Sequence, residues 1–150
     1  DANGAAVTIV GTLLKRGGDL TLSTPATISV ELDMGDAGGL ADGNFVSNGT
    51  QGVPGDIGVL GGSYTANQAL TLGGNAEANN GFTVNNTFNL TNAALQTVTS
   101  SAGPIDINTS LTKAAGPLTL AVLGGLALLR TNSRWNKRPA RRLSDGEARL

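Results

Sequence analysis

Cysteine and histidine are both absent from the 150 residues. Without cysteine there is no disulfide and no thiolate metal centre. Without histidine the chain lacks the usual general base near neutral pH and the commonest metal ligand, and a Ser-His-Asp triad is excluded. Aromatic residues make up 3% of the chain and charged residues 14%, the latter well under the roughly 25% of ordinary soluble domains. Solubility therefore rests on Asn, Thr, Ser and Gln. The aromatics are Phe45, Tyr64, Phe82, Phe88 and Trp135, so the apolar set is mainly Ala, Val, Ile and Leu. Small aliphatic side chains in rows suit a narrow core, such as a β-solenoid lumen or the interlayer of a thin sandwich. A start at Asp1 without Met is what cleavage of an export signal, or excision of a fragment, leaves behind.

Charge divides the chain into two materials. Residues 1–129 carry three basic and nine acidic groups, net −6, whereas residues 130–150 carry seven basic and two acidic, net +5. This predicts a β-rich body over 1–129 and a basic tail over 130–150, either disordered or docked on a neighbouring subunit.

What is present is period-two alternation in short stretches. Ala6–Leu14, Leu20–Leu22, Ile28–Leu32, Ile57–Leu60, Leu70–Leu72, Phe82–Leu90, Leu95–Val98, Ile105–Ile107 and Leu118–Val122 all have the pattern of strands. Between them lie Gly17-Gly18-Asp19, Gly73-Gly74-Asn75, Asn79-Asn80-Gly81 and Ala102-Gly103-Pro104, which are turn material. No amphipathic helical stripe appears before position 116. The expected fold is all-β: a short parallel β-solenoid, or alternatively a thin antiparallel β-sandwich filament subunit, with a basic C-terminal tail.

Three ungapped copies of one unit support this. Residues 7–22, 57–72 and 105–120 align Val7/Ile57/Ile105, Ile9/Val59/Ile107 and Leu20/Leu70/Leu118, and close on a shared Leu-Thr-Leu. Each copy has the form of a strand, a turn and a second strand, and the spacing accommodates two solenoid coils or a four-strand layer. The stretch Ile105-Asp-Ile-Asn-Thr-Ser-Leu-Thr-Lys-Ala-Ala-Gly-Pro-Leu-Thr-Leu120 resembles the coil consensus of filamentous-haemagglutinin-like and autotransporter-like exoproteins. That consensus runs hydrophobic-Thr-hydrophobic-Asn, then Leu-Thr-Lys, Gly-Gly and Leu-Thr-Leu; Gly11-Thr-Leu-Leu-Lys-Arg-Gly-Gly-Asp-Leu-Thr-Leu22 is similar. The resemblance implies a secreted, right-handed parallel β-helix used for adhesion or as a surface filament. Residues 33–56 depart from the coil pattern.

Candidate sites are few. Asp33, Asp36, Asp42 and Asn44 put hard oxygen ligands in a Gly-rich loop, which would suit Ca²⁺, but the spacing matches no calcium motif and a solvated turn is the preferred reading. No other cofactor is expected. The acids Asp19, Glu31, Asp56, Glu77 and Asp106 lack any spacing that pairs them for acid–base catalysis. Thr97-Val-Thr99 is the one clear Thr-x-Thr, and the other threonines do not recur at a coil spacing. Asn48, Asn85, Asn89 and Asn108 begin glycosylation sequons. Residues 116–129 form an apolar run of 14, short of the roughly 20 needed to span a bilayer. They are expected as a last strand pair, with a sorting or membrane segment as the alternative. Assembly is predicted to use Leu118, Leu120 and Val122 for strand addition, and Arg130, Arg134, Lys137, Arg138, Arg141 and Arg142 to lie across an acidic neighbour.

The expected protein is therefore not an enzyme. It is a secreted structural subunit, extracellular or at the cell surface, that self-assembles into filaments through β-strand edges. Its expected partner is itself, with a host surface or glycan as a further possibility, and neither nucleic acid nor a stable membrane span is expected. Alternatives are an adhesin-type binding module and, behind it, a carbohydrate-active enzyme on a β-helix.

Overall fold

The computed structural model of the chain describes residues 3–36 and 43–124. Every regular element in them is a strand, and every strand pairing is parallel. The first coil runs through β1 (Val7–Ile9), β2 (Leu13–Lys15) and β3 (Leu20–Leu22). The second runs through β4 (Thr27–Val30), β5 (Met34–Asp36) and β6 (Phe45–Ser47), and the third through β7 (Thr50–Val53), β8 (Ile57–Val59) and β9 (Tyr64–Ala66). The fourth comprises β10 (Leu70–Leu72), β11 (Ala76–Ala78) and β12 (Phe82–Val84). The fifth comprises β13 (Thr87–Leu90), β14 (Gln96–Ser100) and β15 (Ile105–Ile107), and a sixth begins with β16 (Ser110–Lys113) and β17 (Leu118–Val122).

Each coil places one strand in each of three sheets. Sheet A stacks β1-β4-β7-β10-β13-β16, sheet B stacks β2-β5-β8-β11-β14-β17, and sheet C stacks β3-β6-β9-β12-β15. The result is a three-sided β-solenoid of about five turns. The antiparallel sandwich is excluded, for a local reason. Strands of three to five residues meet at corners of a few residues that redirect the chain instead of reversing it. Gly11, at φ 91°, makes the corner that splits the alternating run Ala6–Leu14 into β1 and β2, a conformation that side-chain-bearing residues avoid. Asn85-Asn86 likewise splits Phe82–Leu90 into β12 and β13.

The three sequence copies map onto the coil in an instructive way. They begin at β1, β8 and β15, seven strands apart, so they sit in sheets A, B and C in turn. The unit is one whole coil of three strands, and the copies are two and a third coils apart, instead of two. The middle strand of each copy is hidden in the sequence, because Leu13–Lys15, Tyr64–Ala66 and Ser110–Lys113 are only three or four residues long and share no common alternation. The stretch 33–56 is no departure either: it supplies β5, β6 and β7. Their inward positions include Ser47 and Gln51, both buried, which break the apolar alternation.

The lumen is lined by residues stacked in register from coil to coil. One column of sheet A runs Val7, Ile28, Gln51, Leu70, Phe88 and Leu111. One column of sheet B runs Leu13, Met34, Ile57, Ala76, Val98 and Leu120. Sheet C contributes Leu20, Phe45, Tyr64, Phe82 and Ile105. The few aromatics are concentrated here: ring centroids lie 5.8 Å apart for Phe45–Tyr64, 4.9 Å for Tyr64–Phe82 and 5.6 Å for Phe82–Phe88. Four aromatic rings in one contact chain supply buried area that Ala and Val cannot.

Candidate functional site

Outward positions alternate with the inward ones, so each sheet presents a column to solvent. On sheet A it runs Thr8, Ser29, Gly52, Thr71, Asn89 and Thr112. On sheet C it includes Thr65 over Thr83, and on sheet B Thr97 over Thr119. The threonines do therefore stack between coils, which their spacing in the chain conceals. The coil is 18 residues long from Leu70 to Phe88 and 23 from Phe88 to Leu111, and the corners absorb the difference.

Corners are held by polar ladders. After sheet C, the Nδ2 of Asn67, Asn85 and Asn108 donate to the Oδ1 of Asn48, Asn67 and Asn85 respectively, each at 2.7 Å. Stacked asparagines bond coil to coil because each side chain carries both a donor and an acceptor. The sequence carries a signal for it: an asparagine directly follows Ser47, Ala66, Val84 and Ile107, the last residues of four sheet C strands. Three of the four sequon asparagines, Asn48, Asn85 and Asn108, are thus rungs of this ladder.

The candidate calcium ligands among the described residues are engaged in the same kind of coil-to-coil contact. Asp33 Oδ1 accepts from the Asp56 amide at 2.9 Å, Asp56 Oδ1 from the Asn75 amide at 2.6 Å, and Asn75 Oδ1 from the Thr97 amide at 2.9 Å. Asn44 accepts from the Ser63 amide at 3.0 Å and its own amide donates to Asp19 Oδ1 at 2.7 Å. Asp36 points into the lumen, its Oδ1 3.0 Å from Lys15 Nζ, with both side chains almost wholly buried. Its Oδ2 accepts from the Gly61 amide at 3.0 Å. Asp33, Asp36 and Asn44 thus each have partners of their own, Asp33 and Asp36 both line a shallow groove on sheet B together with Asp56, and Asp42 lies outside the described residues. No cluster of three acidic groups able to hold a metal ion occurs among the described residues.

Deeper inside, the Tyr64 hydroxyl donates to Gln51 Oε1 at 2.7 Å, and Gln51 Nε2 sits 3.0 Å from Met34 Sδ. Burial pushes the Tyr64 hydroxyl well above its ordinary pKa, so it remains a donor. Sequence reasoning misses Gln51, because a lone glutamine between Thr50 and Gly52 carries no pattern.

One shallow groove of about 290 Å³ crosses sheet B, lined by Asp56, Gly58, Leu60, Asn75, Glu77, Thr97 and Thr99 among others. It brings Asp56 and Glu77, two of the sequence's candidate carboxylates, to one surface.

The ends of the solenoid differ from its middle. Inward apolar residues of the central coils are at most 3% exposed. Val7, Ile9, Leu13, Leu20 and Leu22 at the N-terminal end are only half-buried, as are Leu111, Leu118, Leu120 and Val122 at the other. Leu14 is 55% exposed. Leu118, Leu120 and Val122 lie on β17, in register with Gln96, Val98 and Ser100 of β14. Among the described residues no strand covers the far edge of β16 or β17, or the near edge of β1 or β2. Each end also carries an inward lysine. Lys15 stands on β2, and Lys113 stands over Leu90 with its ammonium on the carbonyls of Asn92 and Ala94 and on Gln96 Oε1. The basic residues Arg130, Arg134, Lys137, Arg138, Arg141 and Arg142 lie outside the described residues, and no described helix is long and apolar enough to cross a membrane.

Comparison with known proteins adds no relative: no protein-family model, no curated protein and no solved structure matches this chain.

Proposed function

We propose that the protein is an extracellular structural subunit that self-assembles into filaments by stacking strand edges. The supporting observation is the contrast between the sealed central coils and the two end coils, whose inward leucines, valines and isoleucines are half-buried beside strand edges that are unpaired among the described residues. Such edges are templates for another chain, and burying their apolar residues favours pairing by roughly 25 cal/mol per Å². The surface carries few charges to hold copies apart. A net −6 body and a +5 tail add attraction between subunits.

Multi-angle light scattering over a range of concentrations, with negative-stain microscopy, tests the proposal. Ordered rods should appear as concentration rises, and Leu120→Lys, which puts a charge into the exposed end layer, should abolish them while leaving the β circular dichroism unchanged. A protein that stays monomeric at high concentration overturns it.

The adhesin reading draws on the sheet B groove, where Asn75, Thr97 and Thr99 offer hydrogen bonds to a glycan. It lacks an aromatic platform among the described residues, since Phe45, Tyr64, Phe82 and Phe88 are all at 0% exposure. Glycan-array binding that survives Leu120→Lys and is lost in Gly58→Trp distinguishes it.

A further inference from the structure

We infer that the stacking contact is made head to tail between two copies of this chain, with β1 and β2 of one copy continuing sheets A and B beyond β16 and β17 of the next. This inference rests on the filament proposal and adds the polarity and register of the contact.

The columns determine the register. In sheet A, continuation seats Val7 on Leu111, Thr8 on Thr112 and Ile9 on Lys113, extending the pairings Phe88 with Leu111, Asn89 with Thr112 and Leu90 with Lys113. In sheet B it seats Leu13 on Leu120, Leu14 on Ala121 and Lys15 on Val122, extending the pairings of Val98, Thr99 and Ser100. Sheets A and B are satisfied at once: Val7 and Leu13 meet the inward Leu111 and Leu120, and outward Thr8 meets outward Thr112. Sheet C has five strands to their six among the described residues, so one strand position separates β15 from the β3 of the next copy and the contact is carried by sheets A and B. The exposed Leu14 gains a neighbour in Ala121.

The lysines decide the polarity. In a head-to-tail contact Lys113 meets Ile9 and Lys15 meets Val122, and both ammonium groups are already turned back into their own copy, that of Lys15 onto Asp36 and that of Lys113 onto the carbonyls of Asn92 and Ala94. An N-terminal end facing its own kind would bring two Lys15 and two Arg16 into one layer, and a C-terminal end facing its own kind would bring two Lys113 together. Like charges in one low-dielectric layer repel. A symmetric contact would also join the sheets antiparallel, where every pairing within the molecule is parallel. A heterologous contact whose rotation does not close propagates through a single kind of interface, whereas symmetric contacts need both like-to-like interfaces to do so. The inward lysines therefore act as selectors of direction as well as edge guards.

The chain has no cysteine, so single introduced thiols report the contact cleanly. Thr8→Cys and Thr112→Cys alter exposed outward positions and should leave the fold intact. Strands in a sheet lie about 4.8 Å apart, within the range of roughly 4.4–6.8 Å between Cα atoms that a disulfide spans. Mixed under mild oxidation, the two full-length variants should give the heterodimer bridged between positions 8 and 112 and neither homodimer. The variant carrying both substitutions should give covalent ladders that vanish with Leu120→Lys. Homodimers of Thr8→Cys or Thr112→Cys, formed in samples that scatter as rods, overturn the head-to-tail polarity while leaving filament formation intact. Rods without any disulfide overturn the sheet A contact. Absence of rods in the unmodified protein is instead the failure of the filament proposal itself.

Discussion

Tyr64 of sheet C and Gln51 of sheet A are joined inside the lumen by a 2.7 Å hydrogen bond from the phenolic hydroxyl to Oε1. It ties two walls of the solenoid together at its most aromatic layer, between Phe45 and Phe82. Tyr64→Phe leaves the Gln51 carbonyl buried without its donor and should cost about 1–3 kcal/mol. Adding Gln51→Leu should recover much of that loss, because both polar groups are then gone. Urea unfolding of the single and double variants reads the coupling directly.

Lys15 and Asp36 form a buried ion pair, at 3.0 Å. Lys15→Met strands a carboxylate in the lumen and should destabilise by about 3–5 kcal/mol. Lys15→Met combined with Asp36→Asn should regain more than half, since asparagine keeps an oxygen for the Gly61 amide. A double-mutant cycle by chemical denaturation checks both values.

The three equivalent leucines of the sequence repeat should not behave alike. Leu70 is 0% exposed, and Leu70→Ala should cost about 2–5 kcal/mol. Leu20 and Leu118 occupy end coils and are half-buried. Their alanine variants should cost roughly half as much at low protein concentration, in proportion to the area they bury. At concentrations where rods form, the gap should narrow, which thermal melts at two concentrations would show.

Gly35 and Gly58 are register partners in sheet B with opposite tolerance for a side chain. A Cβ at Gly35 would lie 2.3 Å from the Gly58 carbonyl oxygen, whereas a Cβ at Gly58 meets nothing within 4 Å. Gly35→Ala should destabilise by at least about 1–3 kcal/mol, and Gly58→Ala should stay within about 0.5 kcal/mol of the parent. Melting temperatures of the two variants settle the contrast.

Asp33 acts through one oxygen, which accepts the Asp56 amide. Asp33→Asn retains that acceptor and should be near neutral, while Asp33→Ala should cost about 0.5–1.5 kcal/mol. Neither change should alter the response of the melting temperature to Ca²⁺ or EDTA. A calcium-dependent gain confined to the parent would restore Asp33 as a ligand.

Period-two alternation, the absence of a helical stripe and the turn clusters were enough to determine an all-β chain, and the Leu-Thr-Leu copies were enough to show that one unit recurs. These are local properties: whether a side chain faces in or out of a strand is decided by its immediate neighbours. The coil itself was decided only in three dimensions. Its length varies from 18 to 23 residues between Leu70, Phe88 and Leu111, because corners take up insertions without disturbing the register of the walls, so no fixed period marks it in the chain. Tertiary structure also decided which polar residues are structural. Gln51, Lys15 and Asp36 are buried only because another wall or a neighbouring coil supplies a partner: Tyr64, across the lumen, for Gln51, and Asp36, one coil on, for Lys15. The asparagine ladder lies between the two cases: Asn after each of four sheet C strands is legible in the sequence, but its meaning depends on stacking residues 18 to 23 positions apart.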